Sequence, residues 1–202
     1  GIIDKLPRPS YLPTNTVLNL YDKDNDIRYN AYFTYDSIDA QTVPDFMITY
    51  CKKWPGNPEL YEGKSNNINK TKAFRISEMY LIAAEAYAMS GDETNASAML
   101  NKLKTARVKG WSDKSYKGDA LIKEIQDEYV RELFGEQPYF FDLKRWKKGL
   151  NRSSSEAQDI SYLPALGTDM VKSADDHMWV WPIPKDEIDA NPQIKGQQNA
   201  GY

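Results

Sequence analysis

The chain has one cysteine, Cys51, and one histidine, His177, among its 202 residues. A single cysteine excludes an internal disulfide framework. A single histidine leaves any Ser-His-Asp constellation only one base, and no nucleophile-elbow glycine pattern accompanies it. A zinc site needs more His or Cys ligands than the chain possesses. Glycine-rich phosphate loops are missing as well. No run of about 18 apolar residues is present to cross a bilayer as a helix. The charges almost cancel, 26 basic against 29 acidic, for a formal net charge of −3. A nucleic-acid-binding surface would require a basic face instead. These deficits leave no supported catalytic residue, and neither a cofactor nor a metal is expected. The start, Gly1-Ile2-Ile3-Asp4-Lys5, lacks both a signal-peptide pattern and a lipid-acceptor cysteine, so any targeting segment is expected upstream.

Aromatic residues are plentiful: fourteen Tyr, five Trp and six Phe. Many lie outside the best helical segments. The first stretch, residues 1–72, is loop-rich, with Pro7, Pro9 and Pro13 near its start. Asn30–Tyr35 and Phe46–Tyr50 read as short strands, and Trp54-Pro55-Gly56-Asn57-Pro58 as a turn cluster. Loops of this length inside a domain are often functional.

From Arg75 the pattern turns helical. Ile76, Met79, Tyr80, Ala83, Ala84 and Tyr87 recur at helical spacing. Leu81, Ile82, Ala86 and Met89 make the other faces apolar too, which predicts a centrally placed helix. Gly91 stops it, and Asp92 caps the next helix, which carries Ala96, Met99, Leu100 and Leu103. A third helix is expected over 119–136, on Ile122, Ile125, Tyr129 and Leu133. A fourth runs from Pro138 to Gly149. Residues 150–176 read as a polar loop. Met178–Pro184 reads as an extended, buried segment, with Trp179 and Trp181 in the core and a helical turn at 186–189.

The spacing of Tyr80, Ala83, Ala84 and Tyr87, followed by Ala96 and Leu100, matches a tetratricopeptide-type hairpin. Small residues at 84 and 96 permit close approach, while Tyr87 and Leu100 fill the groove. The predicted fold class is mainly all-α, with tetratricopeptide-like hairpins and minor β content. It forms one domain over 1–202: a loop-rich segment 1–72, a helical core 73–149, and a loop and extended tail 150–202. Asp22-x-Asp24-x-Asp26 opens like a calcium loop, but Ile27 and Phe33 stand where Gly and Glu are needed, which favours a solvated turn. Glu78 and Glu85 share a helix face. With Arg75, Arg131 and Arg145 in neighbouring helical blocks, ion pairs linking helices are expected, and Asp142 pairs with Arg145 at i, i+3.

The blocks Arg75–Ala86, Leu100–Arg107, Asp127–Leu133 and Phe141–Trp146 resemble, in order, characteristic segments of SusD/RagB-like proteins. So do Trp181-Pro182-Ile183-Pro184 with Glu187, Ile188, Asn191 and Pro192, and the ending Gln198-Asn199-x-Gly201-Tyr202. Tyr21–Arg28 fits the segment that precedes them. Pro138-Tyr139 departs from the family, which often has a basic residue there. The resemblance implies the C-terminal part of a longer, non-catalytic protein, whose N-terminal half supplies further helices. It implies an outer-membrane lipoprotein of Bacteroidetes-type bacteria, surface-exposed through an upstream lipid anchor. The implied partners are an oligosaccharide or polysaccharide ligand and a SusC-like TonB-dependent transporter. Glycan capture needs flat ring faces flanked by polar groups. The candidate ligand-binding residues are therefore the aromatics of the first third: Tyr32, Phe33, Tyr35, Tyr50, Trp54 and Tyr61, with Asn57, Asn66 and Asn67 supplying amides. Each of these rings also has a packing role open to it. A helical-repeat scaffold for a peptide or protein, and a glycoside-cleaving enzyme, are the competing readings.

Overall fold

A computed structural model describes residues 6–7, 12–39, 46–56, 69, 72–136, 139–153, 156–158 and 170–202. Three long helices form the frame: α3 (Ile76–Met89), α4 (Glu93–Thr105) and α5 (Gly118–Glu132). Before them come β1 (Leu6–Pro7), the short α1 (Asn15–Asn19) and α2 (Ile27–Tyr32), then β2 (Phe33–Asp39) and β3 (Phe46–Cys51). After them come α6 (Tyr139–Arg145), β4 (Leu150–Arg152), β5 (Met170–Lys172) and α7 (Lys185–Ala190). β2 pairs antiparallel with β3 and parallel with β1, and β4 with β5 forms a second, two-stranded sheet. The fold is mainly helical with minor strand content, as the sequence predicts.

The α3–α4 hairpin closes where expected. Gly91 adopts φ +83°, and Asp92 accepts from the Asn95 N–H at 3.0 Å to cap α4. Ala84 and Ala96 are fully buried between the helices, and Leu100 lies beside them. Leu81, Leu103, Leu121, Ile125, Tyr129 and Leu133 complete this core from α3, α4 and α5.

Several expectations need correction. α3 is not central: it buries Ser77, Leu81 and Ala84 and leaves Ile76 75% and Met89 69% exposed, with Met79, Ile82 and Tyr87 also outward. A helix apolar on all sides carries no phase in its sequence. The inward side is the one whose small residues admit α4. Residues 30–32 belong to α2 rather than to a strand, because Asp26 caps the segment through the Arg28 N–H at 2.9 Å. α5 ends at Glu132, and α6 at Arg145 rather than Gly149; Lys147 turns the chain at φ 51°. Part of the expected loop 150–176 is the β4–β5 pair, and a Cβ on Gly149 would stand 2.3 Å from the Lys172 carbonyl oxygen. Trp179 is buried, its indole donating to the Ser173 carbonyl at 2.6 Å, but Trp181 is 80% exposed. Met178 and Val180 are exposed too, and His177–Trp179 forms a short 3-10 helix, so the segment expected to be extended and buried is neither throughout. The expected turn at 186–189 lies within α7.

Candidate ligand-binding site

The first-third aromatics do not form one cluster. Phe33 is 3% exposed and packs edge-on against Tyr21 and Phe134, as a core residue of the small cluster formed with Leu18. No ring face remains there for a ligand. Tyr32 is half-buried under Lys53, whose Nζ stands 4.1 Å from the ring centroid. That ammonium is committed as well: it donates to the Phe134 carbonyl at 2.7 Å and pairs with Glu136. Trp54 lies beyond the same lysine, its indole nitrogen against Gly135. Tyr35 is 66% exposed on β2 opposite Thr49, while Tyr50 on β3 opposes Thr34. Neighbouring strand positions point to opposite faces, so Tyr35 and Tyr50 lie on different sides of the sheet. Tyr61, Asn57, Asn66 and Asn67 lie outside the described residues.

Beneath these rings lies a buried ion network. The Arg28 guanidinium donates to Asp26 at 2.7 and 2.9 Å, to Glu128 at 2.6 Å and to Glu132 at 3.0 Å. Glu132 also accepts from Arg75 at 2.7 Å and from Arg107 at 2.8 and 2.9 Å. Glu128 pairs with Arg131 and Lys104, and both of those also reach Glu124. Burial by itself would raise the Glu128 carboxyl; Arg131, Arg28 and Lys104 outweigh it and hold the group well below the usual carboxylate range. Glu132 is lowered likewise, burial being overcome by Arg107 and Arg28. Burial lowers Lys53, against the pull of Glu136. The network ties α2, the residue before α3, the end of α4 and α5 together.

The expected ion pairs of the helical blocks are present. Arg145 bonds Asp142 at 2.9 Å and pairs with Glu85, which also accepts from the Trp146 indole at 2.9 Å. Glu78 and Glu85 share a helix face, yet the hub carboxylates are Glu128 and Glu132. The signal was available: Glu124, Glu128 and Glu132 recur at i, i+4 and i+8 beside the buried stripe of α5. The Asp22–Asp26 stretch is a turn. Asp22 accepts from the Asn25 side-chain amide at 2.9 Å and from the Asn25 and Asp24 N–H groups at 3.2 Å, which lowers its carboxyl, while Asp26 faces Arg28.

Two grooves flank this frame. One, of about 440 Å³, runs between α3, α5 and α6, lined by Glu78, Ile82, Met89, Tyr129 and Arg145. The other, of about 470 Å³, lies between the turn before α2 and the connection from α4 to α5. Its half-buried Trp111 carries no periodic signal in the sequence, where it follows a glycine in a polar stretch.

The backbone resembles solved structures of much longer chains. A SusD superfamily protein from Bacteroides thetaiotaomicron is 28% identical with a TM-score of 0.69; the match covers 92% of this chain and 40% of that one. A protein of Bacteroides vulgatus, assigned sugar binding by name, is 29% identical with a TM-score of 0.66, covering 94% of this chain and 39% of its own. A SusD-like carbohydrate binding protein from Bacteroides vulgatus, 19% identical with a TM-score of 0.64, shares the fold over 94% of this chain and 43% of its own. The chain thus spans about two fifths of the length of these relatives. No curated protein sequence matches it. Residues 44–202 match the model of the SusD family, and the chain belongs to that family.

Proposed function

We propose that the protein captures a glycan without transforming it, as the nutrient-binding subunit of a TonB-dependent uptake system in the outer membrane. The observation that carries this reading is the family match over residues 44–202, supported by the 29% identical Bacteroides vulgatus protein named for sugar binding. This reading also takes a SusC-like transporter as the partner, with an upstream lipid anchor and a surface-exposed location, and family membership supports it. No helix among the described residues is long and apolar enough to cross a membrane. The ion-paired helical frame supports the reading because a fixed scaffold lets surface rings bind without prior ordering.

Among the first-third aromatics, the placements favour Tyr35, Tyr50 and Trp54 over Phe33, which is core, and Tyr32, which is capped by Lys53. Calorimetry against a polysaccharide panel, with a short-peptide control, tests the proposal. Saccharide binding without release of shorter products is the expected result. Binding of peptides alone would favour a helical-repeat scaffold, the second reading, for which the outward apolar face of α3 speaks. Product release would favour an enzyme.

A further inference from the structure

The groove beside Trp111 has fixed walls. The Ile27 N–H donates to the Arg107 carbonyl at 2.9 Å, and the Lys109 N–H to that of Asn25 at 3.0 Å. Asn101, reaching out from α4, fastens the far wall. Its Oδ1 accepts from the Lys114 N–H at 3.1 Å and the Trp111 indole at 3.2 Å, and its Nδ2 donates to the Lys114 carbonyl at 2.9 Å. Ser97 holds Tyr116 in the same manner: its hydroxyl accepts from the Tyr116 N–H at 3.0 Å and lies 3.3 Å from the Tyr116 carbonyl. The volume of about 470 Å³ falls within the range of small-ligand clefts, roughly 300–1,000 Å³.

The floor has committed its charges and the rim has not. Arg28, Lys104 and Arg131 are paired with Asp26, Glu124, Glu128 and Glu132. Lys109 and Lys114 line the rim with no ion pair among the described residues, and the acidic residues in the same lining are engaged elsewhere: Asp22 by its own turn, Asp26 by Arg28, and Glu124 by Lys104 and Arg131. The Trp111 ring is a fixed wall and not an open stacking face, since the Lys114 and Lys104 Nζ atoms stand 4.6 and 4.8 Å from its centroid. The hydroxyls of Ser112 and Tyr116 have no hydrogen-bond partner among the described residues. Burial pushes the Tyr116 phenol up to about 12, so it remains a donor at neutral pH. Ammonium groups without an ion pair and hydroxyls without a hydrogen bond, along a cleft of this size, suit a small ligand that carries negative charge and several oxygens.

We propose that this groove is a subsite for an acidic saccharide, with its carboxylate or sulfate on Lys109 and Lys114 and its sugar ring in the cleft beside Trp111. Tyr116 and Ser112 donate to the sugar's remaining oxygens. The proposal rests on the glycan-capture reading and names a ligand class and a place for it.

Three oligomers of equal length are compared by calorimetry: an oligogalacturonate, a sulfated galactan fragment and a neutral galactan fragment. Indole N–H signals are followed by NMR, with Trp111→Phe assigning the one that matters. At least one charged oligomer should shift the Trp111 signal and bind about tenfold tighter than the neutral one, a preference that high salt removes. Lys109→Glu with Lys114→Glu, both exposed positions, should abolish that preference while the circular dichroism spectrum is unchanged. Comparable affinity for all three oligomers overturns the proposal, and so does unchanged charged-oligomer binding in the double variant. If oligomers bind but none of them moves the Trp111 signal, the groove assignment falls and glycan capture stands. If no saccharide binds, both fall.

Discussion

Glu132 is the carboxylate on which most of the buried network converges, and replacing it with Gln removes the charge while keeping the shape. Three guanidiniums point at it. Arg28 retains Asp26 and Glu128, and Arg75 retains Glu136. Arg107 loses the one carboxylate it pairs with among the described residues, keeping a neutral amide oxygen and the Ala106 carbonyl at 3.4 Å, and the new amide turns a donor toward other donors. Breaking a buried pair from one side costs about 3–5 kcal/mol, a large share of a typical stability of about 5–15 kcal/mol. For a chain of this size the melting temperature should fall by about 6–20 °C, from about 2–4 °C per kcal/mol. Differential scanning calorimetry beside Lys123→Ala provides the scale. That variant removes an exposed i, i+4 pair with Asp127, worth about 0.3–0.5 kcal/mol. If Glu132→Gln does not fold, Arg107→Met reads the same contact at a smaller cost, about 1–3 kcal/mol. The reasoning is refuted if Glu132→Gln, or Arg107→Met in its place, shifts the melting temperature no more than Lys123→Ala does.

Because Glu128 and Glu132 are held below the ordinary glutamate value of 4.5, the folded state binds fewer protons than the unfolded chain near that pH. Their contribution is complete above the unfolded pKa and is lost as pH falls through the folded values. Melting temperature should therefore be nearly level from neutral pH down to about 5 and fall below about 4.5, less steeply in Glu132→Gln, as a calorimetric pH series would show. Ala84→Leu inserts a side chain where α3 meets α4 at a fully buried position; it should cost about 1–3 kcal/mol in urea unfolding, whereas Ile82→Leu on the outward face should cost almost nothing. Tyr35→Ala should weaken binding of whichever glycan the panel identifies without lowering the melting temperature, since its ring is largely in solvent. Phe33→Ala should destabilise the fold by about 3–5 kcal/mol instead.

The helical hairpin was legible because its cues are local. Gly91 and Asp92 end one helix and start the next through backbone geometry and a capping bond that need no distant partner. The small residues at 84 and 96 announced a close approach for the same reason: only a narrow side chain permits it. The phase of α3 was not legible, since Ile76, Met79, Ile82 and Met89 are as apolar as the side that α4 covers. Nor was the division of the aromatics. Tyr32, Phe33 and Tyr35 are neighbours in the chain, yet one is capped by a lysine, one is core and one stands in solvent. The two tail tryptophans are separated in the same way, Trp179 inward and Trp181 outward.

By itself the sequence determined the helical class, the order of the long helices, the hairpin turn and the SusD-type blocks. Each depends on spacing along the chain or on residues within one turn of each other. Tertiary structure alone decided which face of α3 is covered, that residues a hundred positions apart converge on Glu128 and Glu132, and that two separate loops enclose the groove at Trp111. Charge pairing and enclosure are properties of distance in space, and distance in space appears only when the helices have packed.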